Sequence, residues 1–372
     1  MSRGASRFVK LMAAFLAIIF LLSATFAGVT VFLISERVVA EAQNRVSSDL
    51  NSAGEIYDGY LNDLYDLVRL QADRFYLRDA LLAGDVGAAA GELTNEKISE
   101  QLDFLTVTDA AGTVLLRAAD PGVVGDSQAG MSVVAAALGG AAPVAATVVL
   151  TADMLGRESR GLPEVAEIEL VETQGARPRD ETVETDGLVL LAAAPVVDEA
   201  GNVIGALYGG QLLTRRYGIV DGIKETVFGG AQYDGRSIGT STIFLDDVRV
   251  ATNVLNEDGT RAIGTRVSEE VYDNVVLGGE RWVGRAYVVN DWYISAYDPL
   301  RDHDGRVVGM LYVGTLEKPY VDLRVNTSLV FLAVTLIAVV AAIAFSYVFS
   351  RRLSTPVRAL VRASRRVAAG DL

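Results

Sequence analysis

The residue types best suited to chemistry gather in one stretch, residues 284–297, where Arg285, Tyr287, Trp292, Tyr293 and Tyr297 sit on two adjacent strand-like runs. A planar guanidinium grips a carboxylate with two parallel hydrogen bonds, and aromatic walls keep water away, so this set suits a small carboxylate ligand. Arg249, Asn253, Arg261 and Arg266 offer further donors from positions that flank turns. The plainer reading of the same residues is that alternating aromatics are core or dimer surface and that a lone arginine is solvated.

Other chemistry is largely excluded. The 372 residues contain no cysteine and one histidine, His303, which removes thiol nucleophiles, disulfides, thiolate zinc sites and multi-histidine metal sites. His303 lies in Asp302-His-Asp304-Gly305, whose Asp-x-Asp-Gly order hints at a calcium loop but lacks the remaining oxygen ligands, so a polar hairpin turn is expected. The pairs Gly209-Gly210, Gly229-Gly230 and Gly278-Gly279 carry neither the Gly-Lys-Ser/Thr ending nor the strand-GxGxxG-helix order of a phosphate cradle. Glu269 and Glu270 read as a solvated acidic helix face. No catalytic residue, metal, cofactor or nucleic-acid partner is expected, and the chain is not read as an enzyme.

The elements that must carry the 284–297 stretch begin at a membrane. Residues 11–34 and 327–349 are free of charge, each long enough to cross about 30 Å of hydrocarbon as a helix. A cleaved signal peptide would need a shorter apolar run ending in small residues, and a buried soluble helix rarely runs so long without a charge. Arg3, Arg7 and Lys10 precede the first span, and Arg351, Arg352, Arg358, Arg362, Arg365 and Arg366 follow the second. The positive-inside rule therefore puts both termini, 1–10 and 350–372, in the cytoplasm. Of the 33 basic residues nine lie on these flanks, and of the 47 acidic ones only Asp371 does. The segment between the spans thus holds 24 basic against 46 acidic residues, a net −22 placed outside the cell membrane.

After the first span, Val39, Ala42, Val46, Leu50, Ala53, Tyr57, Tyr60, Leu64 and Leu67 recur at alternating spacings of three and four. That period predicts one long helix over 35–83, paired with a twin in a dimer or packed on its own domain. Short β-branched runs broken by Asp/Asn/Gly turns follow, as at 104–107 and 113–116, while 122–146, with a short helix at 132–138 at most, and 177–186 read as loops or insertions. The clearest feature is a repeat at a constant offset of 104: Pro195, Asp198, Gly201, Val203, Gly205, Leu207, Tyr208 and Gly210 return as Pro299, Asp302, Gly305, Val307, Gly309, Leu311, Tyr312 and Gly314. Upstream, 105–115 and 242–250 offer matching first hairpins, followed by Gly125 and Gly264. Two tandem modules of strand pair, helix and strand pair, expected at 84–241 and 242–326, give an α+β class with antiparallel sheets.

The run from Thr242 through Asn253, Asp258-Gly-Thr-Arg261-Ala-Ile-Gly264-Thr-Arg266, Gly284-Arg285-Ala-Tyr287, Asp291-Trp292-Tyr293 and Tyr297-Asp-Pro299 resembles the extracytoplasmic Cache sensor domains of bacterial chemoreceptors. The resemblance implies a double Cache unit, of the Cache_3–Cache_2 kind, in which a long helix carries a membrane-distal and a membrane-proximal PAS-like module with ligand bound between sheet and helices. The first module departs from the pattern through an insertion around 156–187. Pro356, then Val357, Leu360, Ser364 and Val367 at 3-4-3 spacing and a closing Gly370-Asp371-Leu372, resemble the first helix of a HAMP relay; a basic tail held by anionic lipid is the simpler alternative.

Together these imply the sensor portion of a methyl-accepting chemotaxis receptor in a bacterial inner membrane: a homodimer that binds a small extracytoplasmic molecule, such as a carboxylate, and relays the event through HAMP to cytoplasmic signalling partners. A histidine-kinase or diguanylate-cyclase sensor, a signalling-dead truncated receptor and a tethered hydrolase are the alternatives, the last disfavoured by the missing histidines.

Overall fold

The computed structural model describes the backbone of residues 3–368 and the side chains of 17–34, 36–348 and 352. The side chains of the HAMP-like stripe and residues 370–372 lie outside the described set. Two units emerge, Met1–Ala42 with Lys318–Leu372, and Gln43–Glu317.

The first unit consists of the opening of helix α1 (Arg3–Ala72) and of the last helix, Lys318–Ala368. Each contains a stretch long and apolar enough to cross a membrane, and none of that stretch is buried by protein. Phe20, Leu21, Phe26, Ile337 and Phe345 are all more than half exposed, which water would penalise and hydrocarbon would not.

The second unit is α+β. The rest of α1 buries the stripe Val46, Leu50, Ala53, Tyr57, Leu64 and Val68 within its own chain, while Tyr60 stays at the surface. Tyr57 is buried at the hydroxyl as well, which shares a 2.7 Å hydrogen bond with Thr147. Helices α2 (Phe75–Ala83) and α3 (Ala90–Ser99) follow. Then come β1 (Phe104–Asp109), β2 (Val114–Arg117), α4 (Ser132–Gly140), β3 (Val144–Leu150), α5 (Ala152–Glu158), α6 (Leu162–Ala166), β4 (Ile168–Glu169), β5 (Val183–Glu184), β6 (Gly187–Val197) and β7 (Val203–Leu212). The second half has α7 (Tyr217–Phe228), β8 (Gln232–Tyr233), β9 (Arg236–Ser237), β10 (Gly239–Leu245), β11 (Val248–Thr252), α8 (Glu269–Tyr272), β12 (Trp282–Val288), β13 (Asp291–Arg301) and β14 (Val307–Leu316), before α9, the Lys318–Ala368 helix.

Two antiparallel five-stranded sheets result, with orders β2-β1-β7-β6-β3 and β11-β10-β14-β13-β12. The repeat is exact in the backbone, because β6 and β7 shifted by 104 residues have the bounds of β13 and β14. Its turn works through the aspartate: Asp198 Oδ1 accepts the N–H groups of Ala200 and Asn202 while Gly201 takes φ +83°, and Asp302 Oδ1 accepts the N–H of Arg306, the counterpart of Asn202, with Gly305 at the same φ. Its inner glycine is a packing requirement, since a Cβ at Gly205 or Gly309 would run into the carbonyl of Thr108 or Phe244 on the neighbouring strand.

Two segments differ from expectation. The Gly/Ala-rich stretch 122–146, expected as a loop with at most a short helix at 132–138, contains that helix as α4 and also the start of β3, an edge strand paired with β6 along its whole length. Burial of Ala146, Val148 and Leu150 against Val133, Val134 and Ala137 overrides the weak strand propensity of alanine. The insertion is not loose either. Its Val171 N–H donates to Gly264 O at 2.9 Å, Gly175 O accepts from Glu269 N at 2.8 Å, and Arg177 and Arg179 reach the buried Asp247 beyond β10. Gly264, at φ +82°, leaves no room for a Cβ beside the Glu169 carbonyl. Helix α7 goes with the second sheet: Asn253 Nδ2 donates to Val220 O at 2.8 Å, and Arg261 holds Asp221 with two bonds of 2.9 and 2.8 Å.

Candidate functional site

The inner face of the second sheet is set by register. Thr252, Thr242, Tyr312, Tyr297 and Trp282 pair in succession across β11, β10, β14, β13 and β12, forming one row of side chains that point the same way. Tyr297 and Tyr312 lie 4.8 Å apart between ring centroids, with Phe244 at 6.1 and 6.4 Å from them. Val254, Val267, Val271 and Val275 from the segment between β11 and β12 close over this face.

Arg249 enters the same chamber. Simple alternation would pair Val250 with Phe244, but a bulge between Ile243 and Phe244 brings Arg249 opposite Phe244 instead and turns its side chain inward. Only 3% of it is exposed. Nη1 donates to Thr265 Oγ1 at 2.8 Å, and the guanidinium carbon lies 5.2 Å from the Phe244 ring centre. Nε has no hydrogen-bond partner among the described residues. Its electrostatic neighbours are the hydroxyls of Tyr297, Tyr312 and Tyr293, with no carboxylate among them. Burial pushes its pKa below the ordinary arginine value, and the three tyrosines only partly offset this. Burial likewise raises Tyr293, Tyr297 and Tyr312, so all three stay protonated and can donate. A buried guanidinium near tyrosine hydroxyls, with an unpartnered Nε, has the chemistry to receive an anion.

A cleft of about 520 Å³ lies alongside, between the end of α7, the β8–β9 hairpin and the loop at Leu255–Glu257, with Lys224, Thr240, Asn256 and Asn290 on its walls. Tyr293 belongs to both, lining the cleft and packing in the aromatic cluster. Thr240, also on the cleft wall, lies 3.2 Å from the Tyr312 hydroxyl.

The sequence candidates therefore divide. Arg249, Tyr293 and Tyr297 come together on the inner face. Asn253 is buried beside them, but both ends of its amide are committed to backbone, Oδ1 accepting from Ser241 N and Nδ2 donating to Val220 O, each at 2.8 Å. Arg285, Tyr287 and Trp292 share the opposite face, as their pairing with Ile294, Trp292 and Tyr287 requires. Tyr287 and Trp292 are 54% and 40% exposed and stack edge to face at 5.4 Å. Arg285 lies 3.7 Å over the Trp292 ring and donates to Glu317 at 2.7 Å, so its charge is already answered. Arg266 is likewise taken, by Asp247, and Arg261 by Asp221.

Residues 211–327 match the family described as single Cache domain 3. The second module, α7 and its sheet, is thus a Cache-type domain, as the resemblance of its residues implies. Similar solved structures include the periplasmic domain of Vibrio cholerae LuxQ, 13% identical, covering 73% of this chain and 99% of that one at a TM-score of 0.41. The sensor domain of the V. cholerae histidine kinase DctB is 12% identical, with coverages of 74% and 98% and a TM-score of 0.40. The ligand-binding domain of the Pseudomonas fluorescens chemoreceptor CtaA, solved with L-isoleucine, is 9% identical, with coverages of 78% and 97% and a TM-score of 0.38. No curated protein matches the chain.

Proposed function

We propose that the chain is the sensing portion of a transmembrane chemoreceptor, of the methyl-accepting type, that binds a small carboxylate in its second module. The observation that carries this is Arg249: a buried guanidinium that, unlike the buried Arg117, has no carboxylate among its electrostatic neighbours in the described residues and keeps an unpartnered Nε. Leaving such a group open costs stability that a bound carboxylate returns, which makes ligand affinity and module stability two sides of one equilibrium. Arg249 clamps the carboxylate, Tyr293 and Tyr297 donate to it, and the aromatic row excludes water; no bond is made or broken, so the site binds and does not catalyse. Both termini are cytoplasmic, the acidic block between the spans lies outside the inner membrane, and the chain works as a homodimer. Because β14 ends at Leu316 and α9 begins at Lys318, only Glu317 separates the last strand from the helix that contains the second span, so a repacking of β14 around a ligand has a short covalent route to it. The difference in ligand affinity between two packings sets the signal, and about 1–3 kcal/mol suffices. HAMP, begun in 350–372, carries it inward.

The test uses the full chain in lipid nanodiscs, with unfolding followed against a panel of amino acids and small mono- and dicarboxylates. At least one should stabilise it in a saturable way and alter disulfide formation between cysteines placed in the second span of two copies. A ligand that binds without changing the crosslinks contradicts the receptor reading; a panel in which only cations or sugars bind contradicts the carboxylate reading.

A further inference from the structure

The first module carries the same row of the sheet with different side chains. Arg117 on β2, Thr106 on β1 and Tyr208 on β7 pair directly across the strands, so three donors stand side by side on the inner face, all fully buried. We propose that these three form a second carboxylate site and that its occupant is the chain's own Glu158. Tyr208 donates to Glu158 Oε1 at 2.7 Å, Arg117 Nη2 donates to the same oxygen at 3.1 Å, and Thr106 donates to Oε2 at 2.7 Å.

Two features distinguish this from a structural ion pair. First, Arg117 does not need Glu158 for neutrality. Asp126 already grips it through two bonds of 2.7 and 2.8 Å, and is itself steadied by Gln128 at 2.9 Å. Glu158 therefore adds a further negative charge, 1% exposed, beside the Arg117–Asp126 pair, whose outer side the half-exposed Arg157 approaches to 4.0 Å, and depends on the three donors to be tolerated there. Second, the donors belong to the sheet and the carboxylate does not. Glu158 is the last residue of α5, a seven-residue helix outside the sheet that inserts its terminal side chain into the chamber as a free ligand would insert its carboxylate. Burial and the adjoining Glu158 charge keep the proton on Tyr208, so it stays a donor. While α5 is docked the first chamber is closed to other carboxylates; with Glu158 withdrawn it accepts small ones such as formate, acetate or propionate. This site is independent of the Arg249 site.

The experiment is hydrogen–deuterium exchange on the full chain in nanodiscs, read in β1 and α5. Glu158→Ala should expose both segments to faster exchange, and acetate at about ten times its Kd should slow it about tenfold, with chloride ineffective. The double variant Arg117→Met/Glu158→Ala should not respond to acetate. Absence of any acetate effect in Glu158→Ala, or an equal effect in the double variant, overturns the proposal. Should Glu158→Ala fail to fold, Glu158→Gln decides: it keeps the shape but removes the charge that Arg117 answers, and its NH2 facing Thr106 forces that hydroxyl to turn and accept, so β1 should exchange faster than in the wild type. Protection equal to the wild type would mean that the cradle does not require a carboxylate, and the proposal fails.

Discussion

Two chambers on one scaffold treat a buried arginine in opposite ways. The two sheets share strand order, a bulge at the same place in the first hairpin, and the Thr106/Tyr208 and Thr242/Tyr312 pairs. In the first, Arg117 stands in the central row and is met by two carboxylates. In the second, Thr252 takes that row position, Tyr297 and Trp282 stand where Ala193 and Val144 stand in the first, and the arginine sits beyond the bulge beside the Phe244 ring, with hydroxyls and no carboxylate as its electrostatic neighbours among the described residues. The repeat thus preserves the sheet while the filling decides what meets the arginine: Nε of both arginines lacks a hydrogen-bond partner among the described residues, but only Arg117 has carboxylates on its Nη atoms.

The same substitution should therefore have opposite consequences in the two modules. Arg117→Met strands the buried Glu158 and leaves the partly buried Asp126 without its main partner, and should cost about 3–5 kcal/mol in denaturant unfolding. Arg249→Met removes a buried charge that has no counter-ion among the described residues and should leave the unliganded protein as stable or more stable, while abolishing carboxylate binding. Equal losses from both would erase the distinction. Gly264→Ala sharpens it by disturbing only the seam between the insertion and the second module: a left-handed backbone and a blocked Cβ predict a loss of roughly 3 kcal/mol by the same measurement. Asp247→Asn weakens the charged bonds from Arg177, Arg179 and Arg266, and should cost about 1.5–3 kcal/mol and open the 170–180 segment to limited proteolysis.

Acid provides a gentler probe. The hydrogen bond from Arg117 holds the Asp126 carboxyl below its ordinary value of 3.8. A depressed folded pKa contributes stability that is present above the unfolded value and lost as pH falls through the folded one. The first module should accordingly weaken below about pH 4, and Asp126→Asn should flatten that limb of the stability–pH curve. Smallest of all is Arg285→Ala: an exposed pair with Glu317 contributes about 1 kcal/mol or less, and carboxylate affinity should not change.

Much of this architecture is legible in the sequence because it rests on local chemistry. The charge-free runs, the Asp-x-x-Gly turns and the glycines at 205 and 309 are visible one residue at a time, and their constant offset exposes the repeat. The sites are less legible. Period-two alternation places Arg285, Tyr287 and Trp292 on one face of the β12–β13 pair and Tyr293 and Tyr297 on the other, but which face is covered depends on segments up to 50 residues away in sequence. Arg249 looked like a turn-flanking residue because the bulge that turns it inward leaves no mark on the alternation. Arg117 ends an apolar strand and reads as an ordinary solvated terminus, and nothing local announces Glu158, 41 residues on. Strand β3 was hidden by alanines whose burial, not their propensity, makes the strand.

The most direct measurement is carboxylate binding by calorimetry to the full chain in nanodiscs, comparing wild type, Arg249→Met and Arg285→Met. The expected result is equal affinity in the wild type and Arg285→Met, with at least a hundredfold loss in Arg249→Met, as removal of a charged hydrogen-bond partner from a buried site requires. Retained affinity in Arg249→Met, or loss in Arg285→Met alone, would contradict the assignment of the inner chamber as the sensing site.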